Sequence, residues 1–157
     1  MNPEFLSKIP GKVLEIRKHD DPALRVKCTP VQEVNDETVQ LMADMVKTMV
    51  AFGGIGLAAP QVGSPFRVIV VRNRSNVIPM ANPVIIHRCK RMVPSHEGCL
   101  SFPGVFADLK RHNSVIVDYL DLDGKECRIK LTKQGSIALQ HEIDHLDGVL
   151  FMDERGA

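Results

Sequence analysis

The chain has 157 residues, 44% of them hydrophobic, which suits one compact domain spanning residues 1–157 and is short for two. Lys and Arg outnumber Asp and Glu by one, for a formal charge of +1, and the cations are spread along the sequence. That leaves neither a basic stripe for nucleic acid nor a polybasic membrane anchor, so the expected partner is a small molecule or a peptide.

Met1–Pro10 carries Glu4 and Lys8 among isolated apolar residues and lacks the unbroken apolar core of a signal peptide. No later run reaches the ~20 residues that span a bilayer. The chain is expected in the cytoplasm. Cys28, Cys89, Cys99 and Cys127 are irregularly spaced and form no CxxC pair, which fits reduced thiols better than a disulfide framework. Met1–Phe5 fits a first strand poorly and reads as residues left by cloning.

After a loop rich in Pro and Asp around residues 20–22, Asn35 or Asp36 can cap a helix over 36–51, in which Val39, Met42, Val46, Met49 and Val50 recur at helical spacing. Its methionines are expected to pack in the core. Gly53, Gly54 and Gly56 then interrupt the pattern and mark a loop that adopts positive φ or approaches something closely. Phe66–Val71 reads as a buried strand, and Val84–Ile86, after Asn82-Pro83, as a second. Residues 115–131 form a hairpin turning at Asp123-Gly124. A last helix starts near Thr132 or Lys133 and ends at Gly148.

That helix carries Gln140-His141-Glu142-Ile143-Asp144-His145, an HExxH motif. Two imidazoles one helical turn apart can grip one metal ion, and the carboxylate between them sits beside a metal-bound water. Coincidental spacing of two hydrogen-bonded histidines is the bland alternative. A catalytic metal needs about three protein ligands, and HExxH supplies two. The extended HExxHxxGxxH pattern is followed as far as Gly148 and then fails, because Phe151 stands where a third histidine would be. Asp147, Asp153 and Glu154 are nearby carboxylates, but the segment left is short for a distant downstream ligand. Upstream, Cys99 stands out in Glu97-Gly98-Cys99-Leu100-Ser101, where a glycine lets the backbone come close. Two rivals remain at this point: a zinc endopeptidase, and a module in which a closed metal site only supports the fold.

Three segments, Gly54-Ile55-Gly56-Leu57-Ala58-Ala59-Pro60-Gln61, Glu97-Gly98-Cys99-Leu100-Ser101 and Gln140-His141-Glu142-Ile143-Asp144-His145-Leu146, resemble the three signature motifs of peptide deformylases, in order and at comparable spacing. The resemblance covers about Ile16 to Asp153. It implies an α+β fold with mixed or antiparallel strands wrapped around a central C-terminal helix that carries HExxH, and one N-terminal helix. It implies removal of the N-formyl group from the initiating methionine of new polypeptides, with release of formate. By position, Cys99, His141 and His145 become metal ligands, Glu142 the acid/base, and Gln61 with the backbone N–H of Leu100 the donors to the formyl oxygen.

The same resemblance implies Fe2+ as the native ion, with Zn2+ or Ni2+ able to occupy the site. Gly54, Ile55, Gly56, Gly98 and Ile137 are expected to contact the peptide, with Leu100 and the His141 ring lining the methionine pocket. Glu97 and Arg111 form an expected ion pair near Gln61. Expected partners are N-formylmethionyl nascent chains and the ribosome, without nucleic acid or membrane contact. Most members continue into a further C-terminal helix, whereas this chain stops at Ala157. A chain of this length is expected to be a short phage or organelle form or a trimmed piece of a longer one, so the host cytoplasm or an organelle is a further location, and any contact of a tail with the ribosome is in doubt.

Overall fold

The structure is a computed structural model that describes residues 8–154; the expectations for Met1–Phe5 and for the chain end at Ala157 lie outside the described residues. The first helix, α1 (Asp36–Ala51), begins where sequence places it, and the Asn35 side chain accepts the Thr38 backbone N–H at 3.0 Å. Such a cap contributes roughly 0.5–2 kcal/mol. Met42, Met45 and Met49 are fully buried on one face of α1, as expected for core packing.

Seven strands follow: β1 (Gly56–Ala58), β2 (Val68–Asn73), β3 (Asn76–Arg88), β4 (Met92–Cys99), β5 (Phe102–His112), β6 (Ser114–Leu120) and β7 (Glu126–Thr132). They make a five-stranded sheet in the order β1-β2-β3-β6-β7 and a separate β4–β5 hairpin. Every pairing between these strands is antiparallel, so the mixed sheet allowed for above does not occur among them. The second helix, α2 (Lys133–Leu146), follows β7 directly.

The continuous apolar run of β2 is explained by its two covered faces. Val68 and Val70 pack with Met42, Met45 and Met49 of α1. Ile69 and Val71 pack with Leu139, Ile143 and Leu146 of α2. The sheet is thus held between the two helices, and α2 also touches β5.

Three sequence expectations need correction. The strand placed at 84–86 is the end of β3, which runs through Pro79 and Pro83. Prolines argue against a central strand, but here Asn82 turns to φ 50° and the register slips on both sides of Val84-Ile85, so the strand bends and continues. The strand expected from Phe66 is β2 and begins at Val68, two residues late, because Phe66 makes only an isolated bridge with Thr29. The β4–β5 hairpin is absent from the sequence expectations. Its residues alternate without a strong apolar face, since most of its even positions are exposed. The 115–131 hairpin forms as expected, with Gly124 at φ 72°. α2 ends at Leu146 with Asp147 as its C-cap, and Gly148 takes φ 73° just beyond.

Candidate metal centre and cleft

The α2 helix is set against the end of β5 by Gln140. Its amide nitrogen donates to the His112 carbonyl at 2.9 Å, and its amide oxygen accepts the His112 N–H at 3.1 Å. This fixes the roll of the helix and turns His141 and His145 toward Cys99, the last residue of β4. The pairing of β4 with β5 slips between Gly98 and Cys99, a bulge that re-aims the strand where the thiol must turn.

Cys99 Sγ lies 3.4 Å from His145 Nε2, and the two imidazole Nε2 atoms lie 3.2 Å apart. One sulfur and two nitrogens therefore converge within 4.8 Å. Bonds of about 2.0–2.3 Å from these atoms to a first-row ion would place them at separations of this size, so the donor set fits a borderline or soft divalent metal. The electrostatics agree. Burial pushes His141 down, but the Cys99 thiol and the Glu97 carboxylate outweigh it and raise its pKa to about 10. Burial and the neighbouring His141 charge hold His145 well below the usual imidazole value. The point where the three atoms meet thus favours one positive charge.

Glu142 is 4% exposed and its Oε2 has no hydrogen-bond partner among the described residues. Burial raises its pKa to about 7, against the lowering influence of His141. An unpartnered buried carboxylate oxygen is costly and marks a group kept for chemistry. Gly56 makes room for it, since a Cβ there would stand 2.5 Å from Glu142 Oε1. The glycine loop of the sequence is therefore partly strand, and its last glycine is required by a close approach.

Glu97 and Arg111 form the expected ion pair, with both bonds at 2.9 Å and both side chains 6% exposed. The pair is tied to α2 at two points: Glu97 Oε1 lies 2.8 Å from His141 Nδ1, and Arg111 donates to Asp144 at 2.6 Å. Alternation along β4 and β5 turns both side chains toward α2. Burial pushes Glu97 up, yet the His141 and Arg111 hydrogen bonds bring its pKa down to about 2. Burial likewise lowers Arg111, and Glu97 more than restores it.

Gln61 sits on a short 3-10 turn, Ala59–Val62. Its amide oxygen accepts the Ala58 N–H at 2.9 Å, which leaves Nε2 facing Ser101 Oγ at 3.1 Å and Cys99 Sγ at 3.5 Å. Ser101 is fully buried. Neither Ser101 nor Asp144 stands out in the sequence as a site residue, although both lie inside recognised segments.

A cleft of about 970 Å³ opens above these groups. Of the residues singled out in the sequence, Gly54, Ile55, Gly56, Gln61 and Leu100 line it, as do Glu97, Gly98, Cys99, Ile137, His141 and Glu142. His145 and Arg111 stand behind the lining. Gly98 lies under Phe106, whose Cε1 would be 2.9 Å from a Cβ at that position. Two of the alternative carboxylates are engaged elsewhere: Asp147 with Arg67 at 2.8 Å, and Asp153 with Arg25. Phe151 is buried and tilts against the His141 ring at 5.7 Å.

A Cys/His/His cluster beside a buried HExxH glutamate, in a peptide-sized cleft, is the arrangement of a metallohydrolase. Residues 13–156 match the family model for polypeptide deformylase. The chain is 44% identical over 143 residues to a peptide deformylase of Endomicrobium trichonymphae, covering 89% of this chain and 84% of that one. It is 45% identical over 144 residues to one from Halothermothrix orenii, covering 90% and 93%. Among solved structures it is similar to peptide deformylase from Thermotoga maritima, with TM-score 0.89, 33% identity, and coverage of 92% of this chain and 99% of that one. The Ehrlichia chaffeensis enzyme in complex with actinonin gives TM-score 0.89 at 36% identity, covering 91% and 88%. A Met-Ala-Ser-bound class I type b peptide deformylase from Acinetobacter baumannii gives 0.86 at 32%, covering 92% and 99%. The chain belongs to the peptide deformylase family. Enzymes of this family remove the N-formyl group from newly made polypeptides in a metal-dependent hydrolysis.

Proposed function

We propose that residues 1–157 form a single catalytic domain that hydrolyses the formyl amide at the N-terminus of formyl-methionyl chains, with Cys99, His141 and His145 holding the metal. The observation that carries this is the convergence of these three ligand atoms within 4.8 Å beside the unpartnered carboxylate of Glu142. The architecture suits this chemistry, because HExxH lies on the helix that strands cover from both sides, where water is scarce and charge is felt strongly.

Fe2+ is the ion proposed for the native enzyme, with Zn2+ or Ni2+ as substitutes, since thiolate and imidazole ligands accommodate all three. When bound, a divalent ion polarises the formyl oxygen and lowers the pKa of water from 15.7 toward about 7. Glu142, itself poised near 7, takes the proton of the attacking water and delivers it to the departing amine. Charge that develops on the formyl oxygen is met by Gln61 Nε2, whose orientation is fixed by Ala58 and Ser101, and by the backbone N–H of Leu100. Glu97 holds His141 by Nδ1 and so keeps its other nitrogen toward the metal, with Arg111 fixing Glu97 in turn.

β1 is the outermost strand of its sheet, so its outer edge, with Gly54, Ile55 and Gly56, can receive an extended peptide as an added strand. Ile55, Leu100, Ile137 and the His141 ring form the wall for the methionine side chain, and Gly98 keeps the opposite wall open. The Met-Ala-Ser tripeptide of the Acinetobacter baumannii structure is a model of the product that this cleft would release. Among the described residues no helix is long and apolar enough to cross a membrane, and the proposed place of action is the cytoplasm, on chains leaving the ribosome.

The test is to incubate anaerobically metal-loaded protein with formyl-Met-Ala and with an unformylated peptide, and to measure formate and new amines. Formate from the first and no cleavage of the second is expected; amide cleavage inside the unformylated peptide, without formate, would instead indicate an endopeptidase.

A further inference from the structure

Away from the metal ligands, the α2 wall of the cleft turns from apolar to polar, and on the β4 wall Ser95 stands between Glu97 and the apolar Val93. On α2, Lys133, Ile137 and His141 recur every four residues and share one face, each step covering about 6 Å of helix axis. On β4, Ser95 lies two residues before Glu97, on the same face and about 7 Å along the strand from it. The lining therefore passes from Ile137 and Ala138 to Ser95, Asn113, Lys133 and Gln134. Ser95 is only 7% exposed. Among the described residues, none of these four side chains hydrogen-bonds another protein group.

The helix itself adds to this polarity. Thr132 gives α2 no side-chain cap, so the first turn, which holds Lys133 and Gln134, presents the positive end of a 14-residue helix. Lys133 adopts φ 52°, a left-handed conformation that lysine seldom takes, and its N–H bonds the Asn113 carbonyl at 2.9 Å. This part of the cleft thus holds several donors: the Lys133 ammonium, the Asn113 and Gln134 amides and the Ser95 hydroxyl. A thioether uses none of them.

We propose that the pocket for the first side chain ends in a polar donor site, and that the enzyme deformylates peptides that begin with N-formyl-methionine sulfoxide as well as N-formyl-methionine. This rests on the deformylase activity proposed above. The sulfoxide oxygen is a strong acceptor on a side chain of nearly the same length. A wholly apolar pocket would leave it unpaired, whereas Gln134, Lys133 and Ser95 can donate to it. The reaction is unchanged: water adds across the formyl C–N bond, formate and the free amine leave, and the sulfur keeps its oxidation state.

The experiment compares kcat/KM for formyl-Met-Ala-Ser and formyl-Met(sulfoxide)-Ala-Ser on anaerobically metal-loaded protein, for the wild type, Gln134→Leu and Lys133→Gly. Calorimetric binding of Met-Ala-Ser and Met(sulfoxide)-Ala-Ser is measured alongside. The proposal expects a wild-type sulfoxide-to-thioether ratio within about tenfold of one, and a fall of roughly tenfold in Gln134→Leu, the loss of one good hydrogen bond. Product binding should move in parallel. A wild-type ratio below about one hundredth, or ratios and product affinities that neither variant moves by twofold, would overturn it. Absence of formate from both peptides would count against the deformylase activity itself, and product binding would still decide whether the donor site exists.

Discussion

A Cβ atom on Gly56 would stand 2.5 Å from Glu142 Oε1, so the first residue of β1 and the proposed acid/base of α2 occupy space that only a glycine can share. Gly56→Ala is therefore expected to push the Glu142 carboxylate out of position while leaving Cys99, His141 and His145 in place. Formate release should fall at least tenfold with metal content near one ion per chain, as read by elemental analysis and a coupled formate assay; unchanged turnover would show that Glu142 need not sit there.

Arg111 is buried between Glu97 and Asp144. Arg111→Ala takes the two-bond partner from the buried Glu97 carboxylate and should cost about 3–5 kcal/mol of stability, seen as a lowered denaturation midpoint. A milder change, Glu97→Gln, keeps the shape but weakens the hold on His141 Nδ1. Metal affinity should drop by roughly 10–100-fold, measured by competition with a chelator; an affinity equal to wild type would remove Glu97 from the centre.

The metal-free protein should show a distinctive pH profile. Glu97, depressed to about 2, adds stability that is present above the ordinary carboxylate pKa and is lost as pH falls toward 2. His145, held low by burial and His141, also makes stability rise with pH up to about 6.5. Glu142 is raised to about 7, so its effect is opposite between about 4.5 and 7, where the folded state retains a proton that the unfolded state has released. His141, raised to about 10, contributes stability that is complete below pH 6.5 and is lost as pH rises to 10. Thermal unfolding in the presence of a chelator should therefore show stability rising to about pH 4.5, level to about 6.5, and falling above it. Because a metal must displace the His141 proton, the difference between metal-loaded and metal-free midpoints should widen with pH. A difference that narrows from pH 6 to 9 would contradict the ligand assignment.

A thiolate ligand on iron exposes the centre to oxidation at both metal and sulfur. The iron-loaded protein should lose activity in air faster than the nickel-loaded protein. Equal half-lives in paired aerobic incubations would argue against this oxidative vulnerability of the iron form.

Much of the site is legible in the sequence because its constraints are local. HExxH needs only helical spacing, and Phe151 directs the search for a third ligand upstream to Cys99, next to a glycine. Gln61 is recognisable by resemblance but not by chemistry, since a lone glutamine carries no pattern until Ala58 and Ser101 are seen to orient it. The partners of the Glu97–Arg111 pair are hidden for the same reason: His141 and Asp144 are brought to it by long-range packing of β4 and β5 on α2. In the fold, α1 and the 115–131 hairpin follow from caps, turns and alternation. The path of β3 through two prolines does not, because its bends depend on the neighbours that accept them.

The most direct test is Glu142→Ala under anaerobic conditions with formyl-Met-Ala-Ser, metal content measured on the same sample. The expected result is about one ion per chain and formate release reduced by roughly 10²–10⁴-fold, the range of a lost acid/base. Turnover equal to the wild type at full metal occupancy would contradict the role of Glu142 as the proton carrier of this centre.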